Sequence, residues 1–217
     1  MSAPLDPDLL IRAYTIGVFP MADDAAADDV FWVEPKRRGI LPLDQFHLSR
    51  SLKKVLRQER FEHRVDTAFD QVVAACAERD GTWINGQIRT GYSALHERGF
   101  AHSVECWRDG ALVGGLYGVR LAGAFFGESM FTRADNASKA ALAHLIARLR
   151  SGNFVLLDTQ FLTDHLASLG AIEIPKQAYR DLLDRALARR ARFDQLSSLV
   201  SGPVSGKAIA QLLTQTS

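Results

Sequence analysis

Asp158 and Gln160 stand two residues apart at the end of the run NFVLLDTQF, and their spacing is the first sign of chemistry in this chain. Phe154 to Leu157 is an unbroken apolar stretch, the pattern of a strand buried on both faces. The two polar side chains that follow therefore point to one side, at the carboxyl end where open mixed sheets place ligands. A buried polar group without a partner is costly, so the pair needs either partners or a substrate. Capping the helix that follows is the alternative use. Glu128, inside AFFGESMF, is a further carboxylate among apolar and small neighbours, and a charge there calls for a cation, either bound or internal, such as Arg133 or Lys139. His102 beside Ser103 does not read as a nucleophilic pair, because strand neighbours face opposite ways and no acid is placed to orient the histidine. His47, His96, His144 and His165 have no metal-ligand spacing, so neither a metal nor a cofactor is expected.

The elements around these residues are legible. Asp109 and Gly110 form a tight turn between two alternating runs, and a second turn at Gly123 leads into a third run from Ala124 to Phe131. These predict an antiparallel meander. Asn136 can cap a helix whose Leu142, Leu145, Ile146 and Leu149 share one face and which Gly152 can end; a further helix is expected from Thr163 to Leu169. Three strands, helix, strand, helix is an order that resembles the second half of the GNAT acetyltransferase fold. An acetyl-CoA enzyme of that kind cradles pyrophosphate on a glycine-rich loop before the helix. Here Glu128 to Asn136 contains no glycine and two acids.

Upstream, Asp6 and Pro7 start a short helix ending at Gly17, Ala22 to Asp29 is an acidic loop, and Phe31 to Pro42 reads as irregular extended chain. Helices are expected at Ser49 to Glu59, Asp66 to Glu78 and Thr90 to Arg98. The fold class is α/β (α+β), with a small, mainly helical amino-terminal domain at 1–62 and a GNAT-like mixed-sheet domain at 63–217; the tail after Ser197 is expected to be loosely ordered.

Composition is that of an ordinary globular chain, with 217 residues, 47% apolar and 24% charged. The start MSAPLDPDLL lacks a basic stretch followed by an apolar core, and no apolar run approaches the roughly 20 residues that span a bilayer. Cys76 and Cys106 show no CxxC spacing, so a reducing, cytoplasmic setting is expected. The net charge of +1 says little, but Arg50, Lys53, Lys54 and Arg57 form a basic stripe opposite Leu52, Val55 and Leu56. Taken alone, such a stripe is better explained by solvation than by phosphate binding. The run Arg185 to Arg192 reads as a solvated terminal helix.

AHSVECW, LVGGLYGV, FFGESMF, NASKAAL, LLDTQF and HLASLGAIEIP, in this order, resemble the leucyl/phenylalanyl-tRNA–protein transferase family. GVFPM, FHLSRSLKK, AFDQVVAACA and GTWI extend the resemblance over Leu9 to Leu183. It implies transfer of leucine or phenylalanine, with minor use of methionine, from aminoacyl-tRNA to proteins beginning with Arg or Lys, marking them for N-end rule degradation. The reaction is aminolysis of an ester that is already activated, needing neither ATP nor metal. The resemblance assigns Asp158 and Gln160 to the attacking amino group, with the glutamine taking its proton under the influence of the aspartate; because an amide oxygen is too weakly basic to hold a proton, Gln160 is read here as orienting the amine and Asp158 as giving electrostatic support or indirect proton acceptance. It suits Glu128, with Asp158, to the substrate's cation, or Glu128 to the terminal adenosine. Leu116, Phe125 and Met130 correspond to the acyl side-chain pocket, Trp83 and, less closely, Trp32 to aromatics near the RNA end, and Arg50, Lys54 and Arg57 to the tRNA-binding cluster. Trp32 sits in WVEPKRR where the family usually reads W-S-P-D-P-R. The expected partners are the 3′ acceptor end of aminoacyl-tRNA and the acceptor protein, with no membrane and a monomeric enzyme. The alternatives are an acetyl-CoA-dependent N-acyltransferase on the same fold and a non-catalytic tRNA-binding adaptor.

Overall fold

The computed structural model describes residues 5–199 and 203–215. From the amino end these form α1 (Pro7–Thr15), β1 (Phe19–Met21), β2 (Phe31–Val33), β3 (Arg37–Ile40), α2 (Arg50–Arg57), β4 (Glu62–Val65), α3 (Phe69–Ala77) and α4 (Gly86–Glu97). The carboxyl half continues with β5 (Ala101–Arg108), β6 (Ala111–Leu121), β7 (Ala124–Thr132), α5 (Ala137–Ser151), β8 (Leu156–Gln160) and α6 (Asp164–Ala167). It closes with β9 (Ile172–Pro175), α7 (Lys176–Leu187), α8 (Gln195–Leu199) and α9 (Gly206–Thr214).

β5, β6 and β7 make the expected antiparallel meander, with Asp109 and Gly110 both at positive φ in the first turn. α5 then crosses over, and β8 pairs parallel to β7, giving a mixed sheet of GNAT-like order. The full sheet runs β4-β5-β6-β7-β8-β3-β9. β3, which comes from the amino-terminal region, is an interior strand of it, and β4 is an edge strand. β1 and β2 form a separate two-stranded sheet.

One apolar core lies between the sheet and α5, α2, α8 and α9, and another between the sheet and α1, α3, α4 and α7. α5 is buried nearly all round, because small residues such as Ala140, Ala143 and Ala147 fill the faces between the large ones. Its first turn rests on β6, where a Cβ at Gly114 would lie only 2.5 Å from that of Ala137.

Several local expectations change. Phe31 to Pro42 is not irregular, since it supplies β2 and β3. α3 starts at Phe69 and not at Asp66, because Asp66 sits at positive φ, accepts the amide of Ser103 and leaves Glu105 to accept the amides of Thr67 and Ala68. α4 starts earlier than expected, as the Asn85 side chain accepts the amide of Ile88. Asn136 precedes α5 in the left-handed region, and its side chain makes no capping bond. α6 is a single turn capped by Thr163, shorter than the expected helix. The described part of the tail holds α9, which packs on α2 and α5 while Glu59 accepts the amides of Gly206 and Lys207. The other tail positions, 200–202 and 216–217, lie outside the described residues.

β3 is held to β8 by a buried ion pair. Arg38 is 1% exposed; its Nε and Nη2 donate to Oδ1 and Oδ2 of Asp158 at 2.9 and 2.6 Å, and Nη1 donates to the carbonyl of Gly17 at 2.8 Å. The guanidinium lies between the rings of Phe19 and Tyr179, at 4.6 and 4.5 Å. Asp158→Asn is expected to destabilise the fold by about 3–5 kcal/mol in urea unfolding, since it strands a buried cation. Gly118→Ala is expected to cost roughly 1–3 kcal/mol in the same measurement, because its methyl would strike the carbonyl of Phe126 and the ring of Phe125.

Candidate active site

β7 and β8 pair only from Ala124 to Phe126, opposite Leu156 to Asp158, and beyond those residues their pairing ends. A cavity of about 360 Å³ is lined by the next residues of both strands, Gly127 to Met130 and Thr159 to Gln160. Each strand is irregular there. Tyr117 pairs with Ser129 and Gly118 with Gly127, so Glu128 is an extra residue in β7 with no partner across the ladder. Gly39 pairs with Gln160 and Ile40 with Asp158, which leaves Thr159 extra in β8. Such bulges re-aim side chains, and here they direct two strands at one space. Gln160 also has a φ of 55°, so the simple alternation expected for Asp158 and Gln160 breaks at the second residue.

Glu128 therefore faces a cage rather than a cation. Tyr14 donates to its Oε1 at 2.7 Å, Tyr92 to its Oε2 at 2.8 Å, and the Gln160 amide approaches Oε1 at 3.4 Å. The two tyrosine oxygens are themselves 2.5 Å apart. Two phenolic protons can fill two of the three contacts in this triangle, and a proton on Glu128 fills the third. Burial raises the Glu128 carboxyl to about 7 against the pull of the two phenols, and the nearby Asp158 charge adds to the rise. The internal ion pair weighed for Glu128 does not form, as Arg133 binds Glu78.

Asp158 is buried behind this surface. Its oxygens are occupied by Arg38, by the Tyr179 hydroxyl at 2.7 Å and by the backbone amide of Gln160 at 2.8 Å. Burial, then the Asp158 charge, raises the Tyr179 phenol far above its usual range, so it remains a donor. The pairing of Asp158 with Glu128 around one substrate cation is thus not what the geometry presents. Asp158 fixes the backbone at Gln160, and Gln160 and Glu128 reach the cavity.

Leu116 and Met130 are cross-strand partners and both line the cavity, as does Trp83 from the loop between α3 and α4. Leu142 and Leu145 of α5 complete an apolar wall beside them. Phe125 lies apart from that wall, fully buried with its ring against Phe193 at 5.5 Å. Trp32 is 38% exposed on β2, on the face opposite the one that carries Phe19 and Met21 of β1 to the cavity. Arg50, Lys54 and Arg57 are exposed on α2, and Arg57 shares a second cavity with Lys207, Gln211 and Thr214 of α9.

The sequence reading missed Arg38 and the three tyrosines, Tyr14, Tyr92 and Tyr179. Their only sequence signal was an arginine pair in an otherwise extended segment and single tyrosines on helices. It also missed the acid beside His102, whose Nδ1 bonds Asp66 at 2.7 Å. No nucleophile results, because the Ser103 hydroxyl donates to Glu105 at 2.8 Å.

Comparison with known proteins identifies the family. The family model described as leucyl/phenylalanyl-tRNA protein transferase matches residues 40–184, and that of its N-terminal domain matches 3–36. A leucyl/phenylalanyl-tRNA–protein transferase of Rhizorhabdus wittichii is 57% identical, covering 98% of this chain and 99% of its own. That of Nitrobacter winogradskyi is 54% identical over 96% of each. Among solved structures, one titled "Crystal structure of FemX" overlays with a TM-score of 0.47 at 13% identity, covering 81% of this chain and 70% of that one. With both models matched in order and these relatives aligned end to end, the chain belongs to the leucyl/phenylalanyl-tRNA–protein transferase family.

Proposed function

We propose that the cavity joins an aminoacyl-tRNA to the amino terminus of a protein beginning with Arg or Lys, transferring leucine or phenylalanine and so marking that protein for N-end rule degradation. The observation that carries the reading is the tyrosine-caged Glu128 beside an apolar wall. A donor side chain the size of leucine or phenylalanine fits against Leu116, Met130, Leu142 and Leu145, and the unbranched Met130 adjusts to either shape. One methylene changes such binding by only about 1–3 kcal/mol, so methionine is a tolerated donor. The adenosine stacks on Trp83. The acceptor stem follows the basic side of α2, where Arg50, Lys54 and Arg57 supply affinity without reading sequence.

Glu128 accepts the proton. An α-ammonium with a pKa of roughly 7.7–8.0 gives its proton to a carboxylate near 7 at a cost of about 1–1.4 kcal/mol, a gap small enough for the step to be reversible and fast. The neutral nitrogen, aligned by the Gln160 carboxamide, attacks the ester carbonyl and the C–N bond forms; Glu128 passes its proton to the ribose oxygen as the ribose C–O bond breaks, then takes the second proton from the nitrogen and releases it to solvent. Asp158 acts indirectly, holding Arg38 and the Gln160 backbone in place. The reaction runs in the cytoplasm, where aminoacyl-tRNA is available, and the chain works as a monomer. An acyl-CoA donor is disfavoured because the buried first turn of α5, with Ala137 at 0% exposure, offers no cradle for a diphosphate.

Incubation with leucyl-tRNA carrying labelled leucine, and with peptides that differ only in their first residue, is expected to label Arg and Lys peptides. Label on none of them overturns the reading. Wild-type transfer should rise as pH passes about 7, because the base form of Glu128 is the active one. Glu128→Gln is expected to lower kcat by about 10²–10⁴ and to leave a profile set by the peptide amine alone. Reversing charge in Lys54→Glu and Arg57→Glu should weaken tRNA binding and flatten its dependence on salt, read by filter binding across a salt series.

A further inference from the structure

The cavity has a polar corner that the acyl-transfer scheme leaves unused. Tyr117 is fully buried and is one of the residues around the cavity, and its hydroxyl has no hydrogen-bond partner among the described residues. A phenol in that position normally finds a partner, and leaving it unmade costs about 1–3 kcal/mol. Its ring is fixed edge-on against Tyr92 at 5.4 Å and Phe69 at 5.9 Å, so it cannot swing away to satisfy itself. Arg79 lines the same corner, exposed at the end of α3, four residues before Trp83. No carboxylate among the described residues pairs with it, because its neighbour Glu78 is taken by Arg133 through both oxygens. Arg79 is also the only Arg or Lys lining this cavity among the described residues. The apolar wall of Leu142 and Leu145 belongs to α5, packed on the other face of the sheet from α3 and α4. The cavity is therefore divided, with hydrocarbon on one side and an aromatic, an unmatched cation and an unmatched hydroxyl on the other.

We propose that this corner binds the phosphorylated terminal nucleoside of the donor, with Arg79 pairing with the 5′-phosphate and the Tyr117 hydroxyl bonding a polar atom of the nucleoside stacked on Trp83. The inference rests on the transferase reading and adds to it a phosphate contact next to the reacting ester, separate from the basic helix α2. A guanidinium pairs with a phosphate through two parallel bonds, which fixes orientation as well as charge. Trp83 supplies a plane that any base can use. Tyr117 adds a directional contact, and its burial keeps the phenol protonated, so it stays a hydrogen-bond partner and does not exchange protons.

The test uses the full chain and two small donors, the leucyl ester of adenosine and the leucyl ester of adenosine 5′-phosphate, with an Arg peptide as acceptor. Wild type should use the phosphorylated ester at lower KM. Arg79→Ala should raise that KM by at least about tenfold with kcat unchanged and leave the unphosphorylated ester unaffected. Arg79→Lys should recover part of the loss, and Tyr117→Phe should raise KM for both esters. A second measurement needs no transfer: tryptophan fluorescence titrations with adenosine 5′-phosphate and with adenosine. Tighter binding of the phosphate form, lost in Arg79→Ala, is expected. Equal binding of the two by wild type, or an equal effect of Arg79→Ala on both, overturns the proposal. Phosphate-selective binding through Arg79 without any leucine transfer would leave this corner standing and overturn the transferase reading instead.

Discussion

The arginine–aspartate pair between β3 and β8 is the constraint on which the rest of the site depends. Two charges this deep are costly to desolvate, and they are tolerated because every atom that could be left bare is used. Asp158 receives the guanidinium, a phenol and a backbone amide, while Arg38 also reaches the Gly17 carbonyl and is enclosed by two rings. This brings α1, β1, β3, β8 and α7 to one point. The pair ties the turn after α1 to β3, and α1 carries Tyr14, half of the cage around Glu128. A charge buried behind the cavity thereby sets the environment of one that lines it.

The second determinant is where the sheet stops being regular. Parallel pairing between β7 and β8 ends after Phe126 and Asp158, and both strands insert an extra residue just past that point. The inserted residues are Glu128 and Thr159. Regular strands would have aimed their side chains alternately into the two cores; the bulges turn polar groups toward the gap instead. Glycines permit this in β6, where Gly118 lies so close to β7 that no side chain fits.

The meander, the crossover helix and the buried strand were readable because each is specified locally, by a turn dipeptide, a helical stripe or an apolar run. Cap residues at α1 and α2 were readable for the same reason. The amino-terminal strand β3 was not, since four residues containing two arginines and a glycine carry no strand pattern; their partners lie more than a hundred residues away. The same applies to Glu128. Its apolar neighbours called for compensation, and a cation was the natural guess, but two distant tyrosines answer the need without charge. The resemblance put Phe125 in the acyl pocket, whereas taken alone it reads as ordinary core; its packing against Phe193, across the sheet from α3 and α4, places it in the core.

Glu59 carries a consequence for the far end of the chain. By accepting the first amides of α9 it ties that helix to the turn after α2, and Ile209 and Ala210 are buried in the seam. Trimming the protein ahead of α9 would uncover that greasy joint and leave an acid beside the basic helix α2 with nothing to hold. α9 is thus a buttress, and an affinity handle is better attached after it than in its place.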